Sequence, residues 1–132
     1  MSRIAFIFPG QGSQAIGMGK ELADAFPAAK AVFDEVDAAL GEKLSALIWG
    51  GSIEELTLTA NAQPALMAVS LAASRALEAG FGVKISTAAF VAGHSLGEYS
   101  ALAAAGAISV TDAARLLRKR GQAMQAAAPA GT

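Results

Sequence analysis

Residues 89–98, AFVAGHSLGE, constrain the fold of this chain more than any other stretch. A short apolar run ends in Gly93-His94-Ser95-Leu96-Gly97 and opens into the helix-forming stretch EYSALAAAG. Between a strand and a helix, G-x-S-x-G marks a nucleophile elbow. The two glycines allow a sharp turn without Cβ clashes. Such a turn lifts the Ser95 hydroxyl clear of the sheet. It also leaves the Leu96 N–H free at a helix N-terminus, where a developing oxyanion is stabilised. The chemistry implied is acyl transfer through a serine ester. The plain alternative is a Gly/Ser turn with no catalytic role.

An elbow of this type needs a sheet beneath it. Ile4 to Phe8 (IAFIF) is a continuous apolar run bounded by Pro9-Gly10, which predicts a buried, central, parallel strand. Thr87 to Ala92 predicts the second strand. Between them the pattern is helical: Lys20–Phe26, Pro27–Leu40 closed by Gly41, Leu44–Trp49, a capping box at Ser52, and a long Ala/Leu-rich helix from Gln63 to Ala79 ending at Gly80. That last helix has little polar surface and is expected to be deeply buried. Ser95–Ala105 is the elbow helix, and Ser109 caps a final helix running to about Ala127. Two strands separated by this much helix are expected to be parallel. The fold class is therefore α/β. Two strands alone do not make a stable sheet, so residues 1–132 read as the opening of a larger one.

Bulk properties exclude several functions. A net charge of −1 gives no electrostatic basis for binding nucleic acid or an anionic membrane. The absence of cysteine removes disulfides, thiolate catalysis and cysteine-ligated zinc, and a single histidine argues against a histidine metal site. The N-terminal apolar run is too short for a signal peptide, and no stretch resembles a membrane span, so a soluble cytoplasmic protein is expected.

Other residues carry two readings each. Gly10-Gln11-Gly12-Ser13-Gln14-Ala15 fits a dinucleotide fingerprint, but Asp34 and Asp37, at the distance of its acidic partner, sit in a helical pattern with no strand before them. The loop is not a P-loop, since Glu21 follows Lys20. Gln63 is either a pocket residue or a polar residue at a helix start. Glu98 fits a first-turn acid favoured by the helix dipole. Met18, Met67 and Met124 read as core fillers. His94 adjoins Ser95, but consecutive side chains at a strand end point to opposite faces. That favours a packing role over a general base.

Four segments together resemble the malonyl-CoA:acyl carrier protein transacylases, free-standing acyltransferases of fatty acid synthesis. They are FPGQGSQ at residues 8–14, NAQPALMAVS at 61–70, GHSLGEYSAL at 93–102 and RKRGQAMQ at 118–125. The resemblance implies Ser95 as the nucleophile carrying the malonyl ester and the amides of Gln11 and Leu96 as the oxyanion hole. It implies Arg120 as the anchor of the malonyl carboxylate, with Gln63 and His94 as possible pocket residues. A guanidinium fork suits a carboxylate. From spacing alone, Arg120 would instead read as part of a solvated basic helix end with Arg115, Arg118 and Lys119.

The implied fold is the amino-terminal part of an α/β-hydrolase-like acyltransferase domain. The general base (a histidine), the later strands and a ferredoxin-like subdomain are then expected beyond residue 132. The implied partners are malonyl-CoA and the phosphopantetheine thiol of acyl carrier protein, with no metal or redox cofactor. Two other functions stay open: a serine hydrolase of the esterase or lipase type, and a non-catalytic module that binds an acyl carrier.

Overall fold

The computed structural model describes residues 3–129. Its elements follow in the order β1 (Ala5–Phe8), α1 (Lys20–Ala25), α2 (Pro27–Leu40), α3 (Leu44–Gly50), α4 (Ile53–Thr57), α5 (Thr59–Phe81), β2 (Phe90–Gly93), α6 (Gly97–Ala104) and α7 (Val110–Ala127), with a 3-10 turn at Ile85–Thr87. The strands pair in parallel, Ala5 opposite Phe90 through Phe8 opposite Gly93. The fold is thus α/β with a small parallel sheet, as expected. This register matters for the site, because it brings the loops after Phe8 and Gly93 to the same edge of the sheet.

Local signals account for several helix boundaries. Pro27 opens α2, where its fixed φ fits and its missing N–H is not needed. Gly41 closes α2 in the left-handed region, with φ 66°. The hydroxyls of Ser52 and Ser109 accept hydrogen bonds from the N–H groups of Glu55 and Asp112, capping α4 and α7.

The long helix α5 is the hub, packed against α2, α6 and α7. Leu66, Met67, Leu71 and Ala72 of α5 are buried together with Phe33, Ile48, Leu56 and Leu117. The expected deep burial is present, but the helix boundaries differ from the expected ones. α5 begins at Thr59 rather than Gln63, so Pro64 lies inside it. It runs through Gly80 to Phe81, and Gly82 is the left-handed cap, with φ 68°. Gly80 is there for space: a Cβ on it would lie 2.6 Å from Cε1 of Phe26.

The strand β1 departs from the buried, central strand expected of an apolar run. Alternation along the strands places Ala5, Ile7, Phe90 and Ala92 on one face, and all four are exposed, Ile7 by 78%. Phe6, Phe8, Val91 and Gly93 lie on the other face, against which α6 packs. An apolar run signals that two faces can be covered. Here only one face is, because β1 and β2 make the whole sheet among the described residues.

Candidate active site

The elbow departs from ordinary backbone at Ser95, whose φ is +57°. It is the one non-glycine residue with positive φ among those described. Holding such a residue in the left-handed region costs on the order of 1–3 kcal/mol, and the surrounding structure must impose it. The imposition is visible on both sides. A Cβ on Gly93 would collide with the backbone of Gly97 and Glu98, and one on Gly97 with the carbonyl of Phe8. Both glycines are therefore required by close approach of chain to chain, and neither by a positive φ. The Leu96 side chain is fully buried in the core, which fixes the residue after Ser95.

This geometry leaves the donor next to the nucleophile free. The N–H groups of Gly97, Glu98 and Tyr99 bond to the carbonyls of His94, Ser95 and Leu96 at 2.9, 3.1 and 2.9 Å. The Leu96 N–H has no acceptor among the described residues. An unpaired backbone donor on a buried residue is costly, and such groups call for a partner from outside.

The loop after β1 also presents a free donor, at Gln11. His94 N–H bonds to the Phe8 carbonyl at 3.1 Å and ties the ends of the two strands together. Gln11 lies three residues beyond Phe8, and its backbone N–H also lacks an acceptor among the described residues. Its side chain is anchored: Gln11 Nε2 donates to Thr59 Oγ1 at 3.1 Å, at the start of α5. Gln14 reinforces the loop. Its Oε1 accepts from Gly12 N–H at 2.8 Å, and its Nε2 donates to Thr57 Oγ1 at 3.4 Å.

Arg120, on α7, comes to Ser95 across 25 residues of sequence. Its Nη2 donates to Ser95 Oγ at 3.3 Å and its Nη1 to Gln63 Oε1 at 2.7 Å. The guanidinium also lies 5.6 Å from the ring centroid of Tyr99. Gln63 is 1% exposed, and its amide nitrogen donates to Met124 Sδ at 3.3 Å. The side chain of Gln63 is thus committed on both ends, and its oxygen is aimed at Arg120. Arg120 is half-buried and is not a solvated helix end. Met124, read from sequence as a core filler, is instead partly exposed and lies beside Gln63.

Ser95, Arg120 and Gln63 are therefore joined by hydrogen bonds, with Leu96 next to Ser95 and Gln11 on the loop at the same edge of the sheet. His94 is exposed and makes no hydrogen bond to Ser95; its ring crowds Gly10, where an added Cβ would lie 2.5 Å from Nδ1. The dinucleotide reading of Gly10–Ala15 finds no support, since the loop runs on to α1 at Lys20 instead of opening a helix directly. Asp37 has a structural role, its carboxylate accepting from Ser45 N–H at 2.9 Å, at the start of α3. Among the described residues no group of three His, Cys, Asp or Glu side chains could hold a metal ion, and no helix is long and apolar enough to cross a membrane.

Two contributors, Tyr99 and Thr59, stand outside the roles that the sequence patterns suggest. Tyr99 lies four residues after Ser95, in the first turn of α6, and its ring faces the Arg120 guanidinium. Thr59 carries no comparable signal, because its partner is 48 residues away.

The chain matches the model of the acyl transferase domain over residues 5–132. It is 60% identical over 132 residues to the malonyl CoA-acyl carrier protein transacylase of Bacillus subtilis strain 168, covering 99% of this chain and 40% of that protein. The enzyme of the same name from Escherichia coli K12 is 48% identical, covering 100% of this chain and 42% of that protein. Among solved structures, acyl-carrier-protein-S-malonyltransferase from Bartonella henselae superposes with a TM-score of 0.92 at 64% identity, over 96% of this chain and 40% of that one. A malonyl-transacylase in complex with its type II PKS acyl-carrier protein superposes with a TM-score of 0.90 at 47% identity, over 99% of this chain and 41% of that one. The chain thus spans about two-fifths of the length of the relatives it matches.

Proposed function

This chain belongs to the family of acyl transferase domains, and we propose that it supplies the nucleophile, oxyanion hole and carboxylate anchor of a malonyl-CoA:acyl carrier protein transacylase. The observation that carries this reading is the approach of the Arg120 guanidinium to Ser95 Oγ at 3.3 Å. A cation beside the nucleophile suits an acyl group with a free carboxylate of its own. Malonyl has one and acetyl does not. With acetyl bound, the guanidinium would face no anion, which disfavours that substrate.

The reaction proceeds in two transfers. Ser95 Oγ attacks the malonyl thioester carbon, and the resulting oxyanion accepts hydrogen bonds from the Leu96 and Gln11 amides. The carbonyl reforms, the carbon–sulfur bond breaks, and CoA leaves as its thiol. The phosphopantetheine thiol of acyl carrier protein then attacks the serine ester, and Ser95 recovers its proton. No metal or redox chemistry enters these steps. A base must take the Ser95 proton, and His94 is not placed for it. We assign that role to a histidine in the part of the full-length protein beyond these residues. The segment alone is then expected to be a poor catalyst, because an unassisted serine is a weak nucleophile at neutral pH.

The names of the relatives support malonyl and acyl carrier protein as substrates. Product analysis separates the reading from a serine hydrolase. Full-length protein given malonyl-CoA and acyl carrier protein should form the malonyl thioester of the carrier, in proportion to its thiol. Free malonate as the main product, independent of the thiol, would establish a hydrolase. Carrier binding with no acyl product would establish a binding module.

A further inference from the structure

We propose that Arg118 is a positioning residue for the active site: it holds the first turn of α5, and through that turn it sets both Arg120 and the Gln11 loop. The proposal rests on the acyl-transfer reading above and adds a residue to it.

The need for such a residue follows from Pro64. In a regular helix the Ala60 carbonyl would accept from the N–H of residue 64, and proline has none. Arg118, on α7, fills that place. Its Nη1 donates to the Ala60 carbonyl and to Asn61 Oδ1, each at 2.6 Å, and its Nη2 pairs with the carboxylate of Glu42. The Arg118 side chain is only 16% exposed, and burial pulls its pKa below the ordinary guanidinium value. A solvated basic residue would show neither property.

The turn that Arg118 holds is the one the site depends on. Thr59, at its start, anchors the Gln11 side chain. Gln63, just after it, anchors Arg120. The same face of α7 grips the turn twice more. Gly121 lies against it so closely that an added Cβ would stand 2.6 Å from the Thr59 carbonyl, and Gln125 Oε1 accepts from Ala60 N–H at 3.2 Å. One short turn therefore carries both arms of the site. Displacing it should disturb the carboxylate anchor and the oxyanion loop together.

The test is made in the full-length protein with Arg118→Gln, and with the same change combined with Pro64→Ala. The second substitution restores an N–H to the Ala60 carbonyl. Rates per titrated active site are measured with malonyl-CoA and acetyl-CoA. Arg118→Gln should lower the malonyl-to-acetyl preference on the order of ten- to a hundredfold, the range expected for a misplaced positioning group. Adding Pro64→Ala should restore part of it. A merely structural role would lower stability and the number of active sites but leave the preference per site unchanged. That result would overturn the proposal, as would a loss that Pro64→Ala does not move. A crystal structure of Arg118→Gln gives a readout independent of activity. An Arg120–Gln63 bond lost or displaced supports the proposal, and one retained at 2.7 Å overturns it. Absence of malonyl transfer in the unsubstituted protein would instead overturn the proposed function.

Discussion

Arg120 donates one arm of its guanidinium to Gln63 at 2.7 Å and the other to Ser95 at 3.3 Å, so a single side chain links the core helix α5 to the elbow. The link has a direction. Gln63 is buried and held at its far end by Met124, so it fixes the guanidinium; Ser95, exposed on its turn, is the end that can change partners. On acylation, Nη2 can pass from the serine oxygen to a carboxylate on the acyl group without moving Nη1. In the proposed reaction, selectivity for an acyl group with its own carboxylate would be prepared in the resting protein in this way.

Replacing Arg120 should therefore change preference more than catalysis. Arg120→Ala is expected to lower malonyl transfer by on the order of 10- to 100-fold, the equivalent of a charge-assisted hydrogen bond of about 1.5–3 kcal/mol. Acetyl transfer should hold or rise, because the guanidinium left unpaired by acetyl is gone. Initial rates with both acyl-CoA substrates check this; an equal loss on both would remove Arg120 from the carboxylate site.

Gln63 acts one bond further back. Gln63→Leu keeps the volume but removes the acceptor for Nη1. The KM for malonyl-CoA should rise about tenfold, the effect of about 1.4 kcal/mol, with kcat less affected. A kcat loss with KM unchanged would mean that Gln63 serves the chemical step instead.

Ser95 is held in a conformation that glycine adopts freely. Ser95→Gly should thus stabilise the fold by about 1 kcal/mol while removing all acyl transfer. The comparison is with Ser95→Ala, which keeps the strain, by denaturant titration. Equal stability of the two variants would show that the turn stores no strain.

Gly97 should tolerate nothing larger. Its missing Cβ would stand against the Phe8 carbonyl, and neither backbone can give way without opening the elbow. Gly97→Ala is expected to cost more than about 3 kcal/mol, at the upper end for single substitutions. A denaturation midpoint close to that of the unsubstituted protein would contradict the packing described for the elbow.

Most of this site is readable from sequence wherever the signal is local. The G-x-S-x-G turn, the serine caps of α4 and α7 and the proline opening α2 each act over a few residues, and each lies where the pattern places it. The turn also carries a detail the pattern does not specify: the positive φ falls on Ser95 and not on its glycines. Helix α5 starts four residues before the expected Gln63, with Pro64 inside it, and the Ala60 carbonyl that Pro64 leaves without its helical donor accepts from a guanidinium 58 residues away. The pairing of Arg118 with Ala60 leaves no periodic trace, and neither does that of Gln11 with Thr59. The apolar run of β1 signals what can be buried but not what covers it, and Ile7 is left exposed.

The most direct test asks whether Ser95 carries a malonyl ester. Full-length protein is incubated with malonyl-CoA, quenched in acid, digested and measured by mass spectrometry. The expected result is malonyl on the peptide containing Ser95, absent in Ser95→Ala and discharged by acyl carrier protein with its thiol free. Malonyl transfer to the carrier with no label on Ser95, or a label that persists in Ser95→Ala, would contradict the proposed mechanism.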